Sequence, residues 1–236
     1  MHAPQPNPGA PSPAGRSHWW GLIGLAFAVW FASQVVGAVA AAAVADGRSF
    51  DSFSGRDLFV VTLPFQLVIG GGAILLARWS GSGYELLRLG QHKWSDLPVG
   101  LAIGAALQLV VGIVYLPLSE LFDRDTSAAR ELADRFDGGD IALLFLMAGV
   151  FAPIVEELFF RGVLQGALER LLRPWVGVVV AALLFAFTHF QVFELLGLFI
   201  FGSAAGAILR RTDRMSLAVT VHMGFNMASL LVLATT

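Results

Sequence analysis

Long apolar runs recur along the chain from residue 18 onward, and only short polar or glycine-rich segments separate them. A helix of about 20 apolar residues is long enough to cross the hydrocarbon core of a bilayer. Within that core the backbone must satisfy its own hydrogen bonds, which helices do internally. The runs therefore predict an all-α fold, a polytopic transmembrane helical bundle in a cell membrane, with the lipid bilayer as its surroundings.

The pattern predicts about seven spans, each ended by a polar loop or a basic turn. The fifth and sixth spans meet in a tight junction near Gln191. The segment 119–140 predicts a short amphipathic helix on the membrane surface or an ordinary solvated connecting helix. The predicted spans cover residues 19–44, 58–79, 97–118, 141–168, 175–190, 193–209 and 215–233.

Composition supports a membrane protein and argues against several other classes. Charged residues make up 14% of the chain and hydrophobic residues 56%, whereas soluble domains carry about 25% charged residues. The net charge of −2 and the lack of a basic stripe exclude an electrostatic case for nucleic acid as a partner. The chain has no cysteine, so it has neither a disulfide framework nor a thiolate nucleophile.

The chain divides into a tail and one bundle. Residues 1–17 are rich in proline, glycine and alanine and are predicted to be a disordered tail, and residues 18–236 form the bundle. An N-terminus inside the cell places nine lysine and arginine residues in inner loops and five in outer loops, which favours a cytoplasmic N-terminus. The nine are Arg16, Arg78, Arg88, Lys93, Arg170, Arg173, Arg210, Arg211 and Arg214.

The fourth span carries Glu156, Glu157 and Arg161 within an otherwise apolar run. A charge at the centre of a bilayer costs about 2.5–3.5 kcal/mol on insertion scales, so ionisable residues there predict a functional site. Pro153, three residues before Glu156, removes one backbone hydrogen bond and predicts a kink. Three candidate partners lie in later apolar runs: His189, His222 and Asn226.

Two of the three charges are spaced to pair with each other. Glu157 and Arg161 lie at i and i+4 with the acid first, the favourable order for an ion pair on a helix. Adjacent helix residues point about 100° apart, so Glu156 and Glu157 are predicted not to face one partner squarely. Glu156 is therefore interpreted as the unpaired carboxylate. The alternative is a neutral acid bonded to a backbone carbonyl.

The remaining polar residues can meet in the middle of the bilayer. At about 1.5 Å per residue, Glu156 and His189 lie roughly 20 Å inside the ends of their spans. On the same count, His222 and Asn226 lie roughly 10 and 16 Å from the start of theirs. Each histidine alone is consistent with an ordinary core residue, and His222 with Asn226 at i and i+4 could equally hydrogen-bond two helices together.

As a set, these side chains suit hydrolysis. A carboxylate in low dielectric can take a proton from water, and a histidine can hold that water. A second histidine and an asparagine amide are donors for an oxyanion. The cofactor is therefore predicted to be none or one divalent metal, with Zn²⁺ the leading choice, since Glu156, His189 and His222 could also ligate it.

Three segments resemble motifs of the CAAX protease and bacteriocin-processing family of intramembrane proteases, also called Abi proteins. Glu156 to Arg161 resembles the E-E-x-x-x-R motif of that family, and Phe185 to His189 resembles its F-x-x-x-H motif. His222 to Asn226 resembles its H-x-x-x-N motif. The three occur in the order of the family, which implies a protease core at about 141–232.

The resemblance implies an intramembrane endopeptidase that cleaves a membrane-associated, prenylated or bacteriocin-like peptide or a membrane protein. Members are usually described as metalloproteases, and a metal-free glutamate mechanism is also argued. By position, Glu156 and His189 would activate the water, His222 and Asn226 would hold the oxyanion, and Glu157 and Arg161 would support them.

Two other functions are consistent with the sequence. One is a non-catalytic membrane immunity or scaffold protein. The other is a proton-coupled transporter, since buried Glu and His can relay protons. A transporter needs polar groups that lead to both surfaces, and the first three spans offer little beyond Gln34, Gln66 and Gln108.

Overall fold

The computed structural model describes residues 15–121 and 140–235, which form helices joined by short turns; no β-strand occurs in these two ranges. A short 3-10 turn, Phe50–Ser52, lies between the first two helices. The helices are α1 (Arg16–Ala45), α2 (Gly55–Trp79), α3 (Gly83–Leu87), α4 (Asp96–Leu121), α5 (Ile141–Leu171), α6 (Pro174–Phe187), α7 (Leu195–Thr212) and α8 (Met215–Thr235).

Six of these helices are long and apolar enough to cross a membrane: α1, α2, α4, α5, α7 and α8. The predicted all-α polytopic bundle is therefore confirmed, and the chain is a multi-pass membrane protein. The predicted fifth span, residues 175–190, is the shorter helix α6. Its 14 residues extend about 21 Å, less than the roughly 30 Å of a hydrocarbon core.

The tail and the surface segment fall mostly outside the described residues. Helix α1 begins at Arg16, two residues before the predicted start of the bundle. Residues 1–14 of the predicted tail, and residues 122–139 of the predicted surface segment, are not among those described. The predictions for them stay predictions.

The predicted inner loops meet at one end of the bundle. The Arg16 guanidinium donates to the Leu171 carbonyl (3.2 Å) and so joins the start of α1 to the end of α5. Arg88, which follows α3, and Arg210, near the end of α7, both pair with Glu169 of α5. The arginine-rich loops therefore lie together, as an antiparallel order of spans requires. The assignment of this end to the cytoplasm stays a prediction.

Helix α5 contains two segments with π-helical hydrogen bonding. It is π-helical over Met147–Phe151 and again over Glu157–Gln165. The first π segment ends where the Ala152 N–H donates to the Met147 carbonyl, five residues back and directly before Pro153. Local π turns satisfy backbone groups that a proline would otherwise leave unpaired in a membrane helix. A π segment thus directly precedes Pro153, and the predicted kink of the helix stays a prediction.

Helices α4 and α8 cross in backbone contact. A Cβ placed on Gly104 of α4 would lie 2.0 Å from the Val221 carbonyl oxygen and 2.5 Å from the Phe225 nitrogen. Gly100, four residues earlier, faces Thr220 in the same way, at 2.0 Å from the hydroxyl oxygen. Small residues spaced by four let membrane helices approach closely. This crossing positions α8, which carries two of the predicted site residues.

Replacing Gly104 by alanine is expected to lower the free energy of unfolding by about 1–3 kcal/mol, because the added methyl group must separate α8 from α4. Gly112 lies on the same helix and has nothing within 4 Å of its Cβ position. Gly112→Ala should therefore be neutral and is the matched control. Unfolding of the purified variants in mixed micelles measures both changes. Equal stability of the two variants would contradict the close crossing.

Candidate active site

Glu157 and Arg161 form a buried ion pair in the second π segment of α5. Their side chains are 0% and 1% exposed, and Arg161 Nε lies 3.3 Å from Glu157 Oε2. The predicted pair is therefore present. The contact is an electrostatic attraction without a hydrogen bond, because none of the three guanidinium nitrogens has a hydrogen-bond acceptor among the described residues. The guanidinium carbon instead lies 4.3 Å from the centroid of the Phe185 ring.

His222 of α8 lies between the two glutamates. Its Nδ1 is 2.9 Å from Glu157 Oε1, and its Nε2 is 3.9 Å from Glu156 Oε2. Glu156, interpreted as the carboxylate left out of the Glu157–Arg161 pair, thus approaches His222 to 3.9 Å. The two carboxylates do diverge along α5, but the nitrogens of an imidazole point in different directions, so one ring can reach both.

The contact with Glu157 indicates which ring nitrogen of His222 carries a hydrogen. Glu157 faces the Arg161 guanidinium as a carboxylate, and a carboxylate can only accept hydrogen bonds. His222 Nδ1 is therefore the donor in the 2.9 Å contact with Glu157 Oε1. The other nitrogen, Nε2, is left to face Glu156 and any bound substrate. A carboxylate that orients a functional histidine in this way fixes both its tautomer and its ring angle.

His189 is held at the turn that follows α6. Its Nδ1 lies 2.7 Å from the Phe185 carbonyl oxygen, which also accepts a bond from the Thr188 hydroxyl at 2.8 Å. A carbonyl oxygen only accepts, so Nδ1 carries the hydrogen and Nε2 keeps a lone pair in the neutral ring. The side chain is half-buried. It thus has the form that a water-binding histidine needs.

Asn226 joins α8 to the first π segment of α5. Its Nδ2 donates to the Ala148 carbonyl oxygen at 2.7 Å. This contact is the helix-to-helix bond that the sequence left open as an alternative role. An asparagine amide carries two hydrogens, and one contact uses only one of them. The half-buried side chain therefore keeps a donor for a further partner.

Helix α8 begins inside the bundle rather than level with the end of α5. Met215 is buried, and its methyl carbon would lie 3.6 Å from a Cβ on Gly162 of α5. Glu156 lies about 9 Å along α5 from Gly162, and His222 lies about 10 Å along α8 from Met215. The two side chains therefore reach the same level. The depths counted from the span ends differed by about 10 Å because they assumed that the helices end at one height.

Phe185 was not predicted as a site residue, yet its ring contacts three residues that were. The ring centroid lies 4.6 Å from that of His189 and 5.8 Å from that of His222. It also receives the Arg161 guanidinium. The available signal in the sequence was its spacing, since the F-x-x-x-H pattern places Phe185 one turn before His189. A phenylalanine in an apolar helix otherwise carries no sign of such a role.

A metal site would require Glu156, His189 and His222 to converge. Glu156 and His222 approach to 3.9 Å. Across residues 15–121 and 140–235, however, no three His, Asp or Glu side chains are arranged to hold a metal ion. Catalytic zinc sites use three protein ligands at about 2 Å from the ion. The side chains as placed do not form such a set, and no metal-dependent step follows from them.

Comparison with known proteins links the site to a family. A family model described as "Type II CAAX prenyl endopeptidase Rce1-like" matches residues 138–228. The match spans less than half of the chain but contains every predicted site residue, from Glu156 to Asn226. No curated protein and no solved structure matches the chain. The resemblance seen in the motifs is confirmed for this part of the chain: residues 138–228 of this multi-pass membrane protein match the model of the Rce1-like family of CAAX prenyl endopeptidases.

Proposed function

We propose that this protein is an intramembrane endopeptidase that hydrolyses a peptide bond with water activated by Glu156. The observation that carries the proposal is the chain of contacts from Arg161 through Glu157 and His222 to Glu156. The first three members are buried, and Glu156 is 17% exposed, so it is the member that a substrate can reach. The Rce1-like domain supports endopeptidase activity in general.

Glu156 is the general base of this mechanism. Its carboxylate takes a proton from water as the water oxygen attacks the carbonyl carbon of the substrate. His189, whose Nδ1 is fixed on a backbone carbonyl, holds the same water through Nε2. When the carbon–nitrogen bond breaks, Glu156 returns that proton to the leaving amine. The site then has its starting protonation state.

His222 and Asn226 stabilise the oxyanion. His222 donates to Glu157 through Nδ1, and a hydrogen on Nε2, which faces the site, makes this nitrogen a donor to the oxyanion. The second hydrogen of the Asn226 amide completes the pair of donors. Donors placed before the reaction are worth about 10²–10³ in kcat each.

The substrate proposed is a membrane-associated peptide, with a prenylated C-terminal peptide as the first choice. The description of the matching family names a CAAX prenyl endopeptidase, which supports this choice. A bacteriocin-like peptide is the next class. We place the protein in the cell membrane with its N-terminus in the cytoplasm, because the arginine-rich loops share one end of the bundle.

Cleavage of a defined peptide by purified protein in lipid nanodiscs tests the proposal. We expect hydrolysis of a prenylated peptide that ends in a CAAX sequence, and slower hydrolysis of its unprenylated counterpart. Because no three described side chains form a ligand set, cleavage should continue in the presence of a chelator, and metal analysis should find less than one ion per chain. Mass spectrometry of the products locates the bond.

Other outcomes of the same assay would revise or reject the proposal. Loss of cleavage with chelator that zinc restores would assign a metal-dependent mechanism. Absence of cleavage of every peptide, together with a cellular phenotype unchanged by His189→Ala, would favour a non-catalytic scaffold or immunity protein.

A further inference from the structure

The Arg161 guanidinium has three attractive neighbours, Glu157, the Phe185 ring and, at 5.8 Å, the Phe201 ring, and it forms no hydrogen bond with Glu157. The Arg161 Nε atom lies 3.3 Å from Glu157 Oε2, but this contact does not have the geometry of a hydrogen bond. The guanidinium carbon lies 4.3 Å from the centroid of the Phe185 ring. Buried arginines normally grip a carboxylate with two parallel hydrogen bonds. Arg161 does not form this two-bond contact, although the Glu157 carboxylate lies close to it.

Because Arg161 does not hydrogen-bond both oxygens of Glu157, one oxygen can accept from another donor. Glu157 Oε1 receives Nδ1 of His222 at 2.9 Å. A two-bond contact from Arg161 would engage both carboxylate oxygens, and His222 would then have to share its acceptor. Because each carboxylate oxygen can accept two hydrogen bonds, the position of the guanidinium sets how firmly Glu157 orients His222.

We propose that Phe185 is a positioning residue, and that its ring holds Arg161 back from a two-bond contact with Glu157 so that Glu157 can orient His222. The face of an aromatic ring attracts a cation electrostatically, and the attraction is strongest away from water. Arg161 is 1% exposed, so this condition is met. The same ring also borders His189 and His222, which limits their rotation.

Nitrogen NMR of ¹⁵N-histidine-labelled protein tests the proposal without any substrate. In the wild type, His222 should show a protonated Nδ1 in a strong hydrogen bond. In Phe185→Leu, the guanidinium is released toward Glu157, and the Nδ1 signal of His222 should move toward that of an unbound imidazole. The His189 bond to the Phe185 carbonyl is a backbone contact, so its Nδ1 signal should persist.

A fluorinated series separates the charge of the ring from its shape. Site-specific incorporation of mono-, di- and pentafluorophenylalanine at position 185 weakens the negative ring face while the ring keeps its size. The His222 signal should shift in proportion to fluorination. The fluorinated variants test the role of the Phe185 ring even if Phe185→Leu fails to fold. Phe159 is the matched control, since it is equally buried and its ring packs edge to face against Phe160.

The kinetic consequence rests on the proposed function, and the NMR result does not. Phe185→Leu and pentafluorophenylalanine should lower kcat by about tenfold with little change in KM, as expected when a supporting contact of a functional histidine is lost. The inference would be overturned if the Nδ1 signal of His222 did not shift on fluorination at position 185. It would also be overturned if fluorination at position 159 shifted that signal equally. Failure of the wild type to cleave peptides would reject the proposed function and leave the NMR test intact.

Discussion

Glu156→Gln is expected to lower kcat for peptide cleavage by about 10²–10⁴-fold and to leave KM nearly unchanged, because it removes the general base. Glutamine keeps the volume of the side chain but cannot accept a proton from water. Glu156 is the most exposed member of the contact chain, and its approach to His222 is 3.9 Å, which is too long for a hydrogen bond. The variant should therefore fold as the wild type does. Steady-state cleavage and thermal unfolding of the same preparation measure the two effects.

A matched carboxylate on the surface provides the control for this prediction. Glu85, on the short helix α3, is exposed, and Glu85→Gln should cleave at the wild-type rate. A Glu156→Gln enzyme with wild-type kcat would contradict the assignment of Glu156 as the base. Loss of activity with an equal loss of folded protein would show that Glu156 supports the fold instead.

The residues of the site could be predicted because ionisable groups are costly in lipid. Glu157 and Arg161 stand out in an apolar run, and their four-residue spacing predicts the ion pair that the structure contains. The partner of Glu156 could not be predicted in the same way. It depends on how α8 is placed against α5, and local periodicity says nothing about the relation between two helices.

The depth of His222 in the bundle shows why the sequence does not reveal how α8 is placed against α5. Counting from the ends of spans assumes helices of equal height, but Met215 lies beside Gly162, well inside α5. The π-helical segments are hidden for a similar reason. Pro153 predicts an interruption, yet the form that the interruption takes depends on which neighbours accept the displaced backbone groups. Apolar run lengths, by contrast, follow directly from bilayer thickness, and most of the spans were predictable.

Glu157→Gln is expected to destabilise the protein by about 3–5 kcal/mol, because it leaves the buried Arg161 charge without a carboxylate. The ring of Phe185 compensates only in part, since a desolvated cation–π contact is worth about 2 kcal/mol. Arg161→Met should cost less. It removes the cation and fills most of the space, and the remaining Glu157 carboxylate keeps its 2.9 Å contact with His222. Free energies of unfolding in mixed micelles measure this asymmetry.

The double variant Glu157→Gln/Arg161→Met gives the decisive comparison. It buries neither charge alone, so it should be more stable than Glu157→Gln, although it contains one more substitution. Glu157→Gln and the double variant should lose most of their cleavage activity, because His222 then loses the carboxylate that orients it. Stability and activity would thus separate: the second substitution restores the fold but not the reaction. Equal destabilisation by both single variants, with no rescue in the double, would mean that Glu157 and Arg161 do not balance each other inside the bundle.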